Sequence, residues 1–309
     1  MSSPEIKRQR VSRKKVVDWK VVLDTPHTFK TLLGIMVPIV SHVTFHICND
    51  DKFTGLRMEA INNSRVCAVK IAYECQLEVN TDENLWFCVD TAMFKKLLTG
   101  AQASSVVDLV KYEGDDWLTI NNSDGHSCVK SQIQLVESET NLNDTDVRDI
   151  KFNHVVEMPS EELKAVCNMI HNIDASFVEF KVREPLLQSS APRNYIFSIH
   201  GDGEGATTCK MYNGSVSDRA SADSDADMIQ IDPSCGGGDE LSEESMESTT
   251  SDKCRGIFPL TYISTVLKNI DRLNVQLFFS TGLPMVMQYG LGGELSYIKI
   301  IIAPREGGE

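Results

Sequence analysis

Thirteen residues beginning at Val21, VVLDTPHTFKTLL, return 134 positions later as VVEMPSEELKAVC, beginning at Val155. Both copies read as a strand, a proline-bearing turn and a helix. A chain of 309 residues has room for two domains of ~150 residues, so the repeat points to a duplicated domain rather than a short-period array. Pro26 after Thr25 suits a first helical turn behind its cap. Ser160, Glu161 and Glu162 make a second helix start, with acids at the positive end of the helix dipole.

Four helices share one apolar template. Their stripes are Phe29, Leu32, Leu33, Met36; Phe94, Leu97, Leu98, Ala101; Leu163, Val166, Cys167, Ile170; and Ile263, Val266, Leu267, Ile270. The spacing i, i+3, i+4, i+7 buries one face of each helix against a sheet. Between them lie short runs rich in β-branched and aromatic residues: DWKVVLD, HVTFHI, GLRMEAI, RVCAVKIAY, LWFCV, VVDLVKY, DWLTIN and SCVKSQIQLV. Each is bounded by Asn, Asp or Gly and reads as a strand. The class is α+β: two similar domains, each with two strand-helix-strand units, and helices on one side of curved antiparallel sheets.

The expected organisation is a basic tail at 1–15, a first domain at 16–137, a polar linker at 138–151 and a second domain at 152–309. Residues 214–253, rich in Ser, Asp, Glu and Gly, read as a flexible acidic insert, with MIQID the one strand-like stretch inside it. Charge is distributed unevenly. The whole chain carries −14, from 44 acids and 30 bases. The tail holds six bases against Glu5, and the insert eleven acids against Arg219 and Lys253. That balance excludes a broad DNA-coating surface, because phosphate recruits Lys and Arg. Away from the apolar stripes, however, Lys30, Lys95, Lys96, Lys164, Lys268 and Arg272 fall on helix faces turned from the core.

The nine cysteines form no C-x-x-C pair and read as reduced core thiols of an intracellular protein. The seven histidines have no metal-ligand spacing. GDGEG at 201–205 lacks the lysine-serine of a phosphate loop, and DSDAD at 223–227 has Met228 where a calcium loop needs Gly. No catalytic residue, cofactor or metal is expected. No apolar run reaches the ~18 to 20 residues of a membrane span, and no membrane partner is expected.

Four strings carry a family resemblance: EAINNSRVCAVKI at 59–71, NLWFCVDTAMFKKLLTGA at 84–101, FNHVVEMPSEELKAVCNMI at 152–170 and LPMVMQYGLGGELSYIKIIIAPRE at 283–306. In this order, with the twofold repeat, they resemble the DNA sliding clamps of the proliferating cell nuclear antigen (PCNA) type. The resemblance covers roughly residues 18–309, interrupted near 184–193 and within 214–253. It implies a homotrimeric ring that encircles double-stranded DNA without sequence preference, the helices lining the hole. The ring would serve as a processivity factor, tethering DNA polymerase, a clamp loader and other proteins that carry an apolar, aromatic-bearing peptide. The six basic residues above would face DNA. The peptide groove would use Ile61, Arg65, Val66, Ala68, Val147, Pro284, Ile301, Ala303 and Pro304. Subunits would join through edge strands Cys128–Val136 and Cys209–Ser215, with Cys128, Lys130, Gln132 and Gln134 meeting Cys209, Met211 and Asn213.

The alternatives are a subunit of a heterotrimeric checkpoint clamp and a monomeric or dimeric processivity factor that does not encircle DNA. The basic tail reads as a nuclear localisation signal or a DNA-touching arm; the expected location is the nucleus, or a cytoplasmic replication site if the gene belongs to a large DNA virus. Gly34, Thr99 and Asn168 leave the helices less basic than is usual in that family.

Overall fold

The computed structural model describes residues 15–79, 85–137, 150–185, 194–216, 227–231, 250–270, 273–291 and 295–305. The first half runs β1 (Val17–Leu23), α1 (Pro26–Met36), β2 (His42–Asp50), β3 (Phe53–Ile61), β4 (Cys67–Glu74), β5 (Gln76–Val79), β6 (Leu85–Asp90), α2 (Thr91–Leu97), β7 (Val106–Tyr112), β8 (Trp117–Ser123) and β9 (Cys128–Gln134). The second half repeats that order. It runs β10 (His154–Pro159), α3 (Ser160–Asn172), β11 (Phe177–Pro185), β12 (Asn194–Gly203), β13 (Ala206–Val216), β14 (Asp227–Ile231), β15 (Thr250–Pro259), α4 (Leu260–Leu267), β16 (Asn274–Phe279), β17 (Met285–Gly290) and β18 (Tyr297–Ile302). Every strand named from sequence is present. Among the described residues no helix is long and apolar enough to cross a membrane.

The four stripes bury as their spacing requires, with Leu97 alone half-exposed. The helices themselves differ in length although their stripes share one spacing. The first and third have 11 and 13 residues, but α2 has 7 and α4 has 8. Ala101 and Ile270 are buried from the turns that follow. Thr25 does flank α1, yet its side chain caps nothing: its Oγ1 lies 2.6 Å from the Tyr73 hydroxyl instead. Ser160 is the first helical residue rather than the cap, a place taken by extended Pro159, and its buried hydroxyl has no partner among the described residues.

The 134-residue offset matches the helices but not the strands before them. Leu23 of β1 and Met158 of β10 both point into the core, which is an offset of 135. One extra residue lies between strand and helix in the first half. Sliding by 134 therefore sets inward Val21 on Val155, whose register partner Phe278 belongs to the opposite face. A one-residue slip always exchanges the two faces of a strand.

Two sheets result. One has the order β5-β1-β7-β8-β9, the other β15-β11-β12-β13-β14-β10-β16-β17-β18-β4-β3-β2-β6. All pairs are antiparallel except β10 with β14. In the first half only Cys75 separates β4 from β5, so the chain bends straight into an antiparallel partner of β1. In the second half the long connection after β13 lets β14 enter from the opposite direction, as a parallel pairing demands. The insert expected at 214–253 is thus not one loop. Residues 214–216 end β13, 227–231 form β14, and 250–253 open β15. The remaining insert residues, the linker segment 138–149 and the tail 1–14 lie outside the described residues. Lys15, the last of the tail, bonds Asp115 at 2.7 Å.

The GDGEG string is a hairpin tip between β12 and β13, built by packing. A Cβ on Gly201 would meet Ile170 Cγ2 at 2.2 Å, one on Gly203 would meet the Ile173 carbonyl oxygen at 1.6 Å, and Gly205 has φ +78°. Gly203→Ala is expected to cost about 2–3 kcal/mol, because the obstacle is backbone. Gly205→Asn should cost less than about 1 kcal/mol, since Asn tolerates positive φ. Urea unfolding of the two variants checks the contrast.

Candidate functional site

The two halves meet where β18 pairs with β4 through six register pairs. Cys67, Val69 and Ile71 face inward against Ile302, Ile300 and Ile298, while Ala68, Lys70 and Ala72 face outward against Ile301, Lys299 and Tyr297. Following the register sideways, Phe278, Val286, Ile301, Ala68 and Ile61 form one continuous outer row. Ala68, Val286 and Ile301 pack as an apolar cluster separate from the core, with Ile61, Phe152 and Phe278 against it. The Phe152 and Phe278 rings lie 5.9 Å apart at 62°. Small Ala68 leaves the middle of the row low.

Of the nine groove residues expected, the structure brings Ile61, Ala68 and Ile301 together on this floor. Val66, Ala303 and Pro304 are half-buried at its end, where the Ala303 amide donates to the Val66 carbonyl at 2.8 Å. Pro284 is half-buried just before β17, and Arg65 is exposed with φ +57°. Val147 lies outside the described residues. Sequence reading missed Phe152, Val286 and Phe278. The strand MVMQYG is apolar on both faces, so alternation gave no sign that Val286 points outward.

The turn beside the floor hangs on Asn62. Its Oδ1 accepts from the Val66 and Cys67 amides at 2.9 and 3.1 Å. Its Nδ2 donates to Ser64 Oγ at 2.9 Å and to the Tyr262 hydroxyl, on α4 of the other half, at 2.7 Å. Both the oxygen and the nitrogen of the buried side chain are thereby matched.

On the helical side Lys96 and Lys268 are exposed, and Lys30, Lys95 and Lys164 are half-buried. Arg272 lies outside the described residues. Asp90 caps α2 by accepting from the Met93 amide at 2.6 Å, and Lys95 and Lys96 occupy its last turn, the negative end of its dipole. Gly34 sits where α1, α2 and the end of α4 converge. A Cβ there would lie 2.8 Å from Asn269 Oδ1 and 3.2 Å from Lys95 Nζ. Both atoms are the ends of side chains that can shift, so packing alone does not require glycine at 34, and Lys95 covers that spot. Glu162, in the first turn of α3 near Lys164, is occupied by Lys210 Nζ at 2.9 Å and the Tyr212 hydroxyl at 3.4 Å. Burial, above all, pushes that tyrosine up to about 12.

The third feature is a pair of strand edges, on β9 and β13. β9 ends its sheet, with Cys128, Lys130, Gln132 and Gln134 exposed. β13 is paired on its β14 side only at Gly214–Val216, leaving the stretch with exposed Cys209 and Asn213 and half-buried Met211 open among the described residues. Tracing the registers shows what these edges are. From equivalent Val21 and Val156, the pairings reach Ser131 in β9 and Ile300 in β18. From equivalent Phe45 and Phe180, they reach Ile71 in β4 and Lys210 in β13. So β9 and β13 are the counterparts of β18 and β4, the two strands that join the halves.

No protein-family model matches the sequence. Solved structures do match over nearly its whole length. The proliferating cellular nuclear antigen of Entamoeba histolytica has a TM-score of 0.68 at 16% identity, covering 94% of this chain and 100% of that one. A complex of PCNA2 and PCNA3 from Sulfolobus tokodaii gives 0.66 at 13% identity, covering 93% and 99%. The PCNA of A. fulgidus, solved with the C-terminal region of FEN-1 bound, gives 0.67 at 16% identity, covering 94% and 100%. The chain has the PCNA fold.

Asn62→Ala strands two amides and the Tyr262 hydroxyl, and is expected to lower stability by about 2–3 kcal/mol. Asn62→Asp keeps the acceptor, loses the donors, and should fall between. Thermal or urea unfolding of both variants tests the ranking.

Proposed function

We propose that this chain is a DNA sliding clamp, a non-enzymatic ring of three copies that encircles duplex DNA and tethers polymerases, a clamp loader and repair enzymes. The observation that carries the reading is the half-made joint. The pairing that unites β18 with β4 inside the chain has counterparts in β9 and in β13 before Gly214, whose edges are open among the described residues. A head-to-tail interface between copies repeats the internal joint, and closing it into a ring removes every such edge. The PCNA2–PCNA3 complex is a relative in fold that assembles from two kinds of chain, and a heteromeric ring is the second reading.

Encirclement makes escape topological, so DNA contact need be neither tight nor base-specific. Lys30, Lys95, Lys96, Lys164, Lys268 and Arg272 are proposed to touch phosphates as the ring slides. The acidic remainder repels DNA from the outside. On the outer face the apolar row of Ile61, Ala68, Val286 and Ile301 receives the apolar peptide of a client, with Arg65, Val66, Pro284, Ala303 and Pro304 around it. Val147 is proposed to close it from the linker. The bound FEN-1 segment in the A. fulgidus structure supports a peptide-binding role for this fold. The gain to a tethered enzyme is effective concentration at the template. The basic tail is proposed to direct the chain to the nucleus, or to hold it at a cytoplasmic replication site in a viral setting.

The counterpart registers make the interface specific. Tyr297 opposite Ala72 becomes Cys128 opposite Met211 of the next copy, and Lys299 opposite Lys70 becomes Lys130 opposite Cys209. Antiparallel neighbours lie ~4.5–5.5 Å apart at Cα, inside the range a disulfide spans. In a Cys209→Ser background, Met211→Cys should therefore form covalent dimers and closed trimers on mild oxidation. Asn213→Cys should not. Light scattering should give three times the monomer mass. A monomer at high concentration with no cross-link contradicts the ring, and assembly only after a second chain is added selects the heteromeric reading.

A further inference from the structure

Beside the apolar row of the outer face runs a polar one. By register, Glu157, Gln276, Gln288, Lys299, Lys70 and Glu59 follow one another from β10 to β3. At its centre Lys299 and Lys70 stand directly opposite across the joint between the halves. Side chains so placed have Cβ atoms ~4.5–5.5 Å apart, where like charges destabilise a sheet. Glu59 Oε1, 3.6 Å from Lys70 Nζ, relieves one of them. Lys299 Nζ lies 5.0 Å from the centre of the Tyr297 ring and has no carboxylate partner among the described residues. Burial, reinforced by Lys70, holds its ammonium below the usual lysine range. Arg57, opposite Ala72 in the next row, adds a third cation. A chain with 44 acids and 30 bases keeps this pair half-buried, one step along the strands from Ala68 and Ile301.

We propose that Lys299 and Lys70 are the acid-reading end of the groove: the peptide lying on Ile61, Ala68, Val286 and Ile301 places one aspartate or glutamate between their two ammonium groups. This rests on the reading of the apolar row as a peptide groove. A single carboxylate supplied from outside offsets the repulsion of the pair and completes the coordination of Lys299. A polyanion does not suit the place, because Glu59 and Glu157 bracket the row at its two ends. The occupant is therefore a peptide with an apolar core and a lone acid beside it. Recognition has two parts, burial on the floor and a charge reading at its edge.

The test is fluorescence anisotropy on the full chain with synthetic peptides. The parent peptide has two aromatic residues in an apolar core and is otherwise uncharged; its relatives carry one Glu, moved position by position through both flanks. One Glu position is expected to bind roughly tenfold tighter than the parent, with the gain shrinking as salt rises. In Lys70→Gln/Lys299→Gln that gain disappears while the parent binds as before. Because the substitution removes like-charge repulsion, the melting temperature should hold or rise. Equal binding of every Glu peptide and the parent, or a gain that survives in the double variant, overturns the proposal and leaves the groove standing. Failure of every peptide to bind, or binding unchanged by Ile61→Ala/Ile301→Ala, overturns the groove and the charge reading with it.

Discussion

Antiparallel strands end in rows of unpaired amides and carbonyls, and this chain makes every larger feature from how those rows are closed. Between its halves β18 and β4 close one pair, and the Ala303 amide extends the seam to the Val66 carbonyl. Among the described residues the counterpart β9 has no partner on its outer edge, and β13 is paired on that side only at Gly214–Val216. A duplicated domain with one internal joint always leaves one donor edge and one acceptor edge of matching kind. Such edges either aggregate or find each other in a closed assembly. The ring reading follows from that constraint rather than from any single residue.

The same joint divides the work of the two faces. Because side chains alternate along a strand, Val69 and Ile71 bind the helices to the sheet while Ala68 and Lys70 are given to the outside. The helices bury one stripe and turn Lys96 and Lys268 away from it. An acidic molecule can therefore offer a modestly basic surface on one side and an apolar floor on the other. The net charge of −14 excludes only a protein that binds DNA over its whole surface.

Much of this was legible in the sequence, and the losses have physical causes. Helix stripes such as Leu163, Val166, Cys167 and Ile170 are read directly, since their period is set by the helix and not by neighbours. The repeat was read one residue out of step along the strands, because the extra residue between Leu23 and Phe29 leaves the helices aligned while exchanging strand faces. Ile61, Ala68 and Ile301 were found through family resemblance. Phe278 and Val286 were not, because they lie in strands apolar on both sides. The parallel entry of β14 was hidden for a related reason: MIQID shows a strand, but direction depends on the connection before it. Ser160 and Thr25 look like caps by residue type, and tertiary contacts or a neighbouring proline took the role from them.

Retention on closed circular and on linear duplex DNA of equal length, after loading and at moderate salt, tests the central claim most directly. A ring held by topology stays on the circle and runs off the ends of the line, and cutting the circle releases it. Equal retention on both forms would contradict encirclement and return the chain to a protein that merely adheres to DNA.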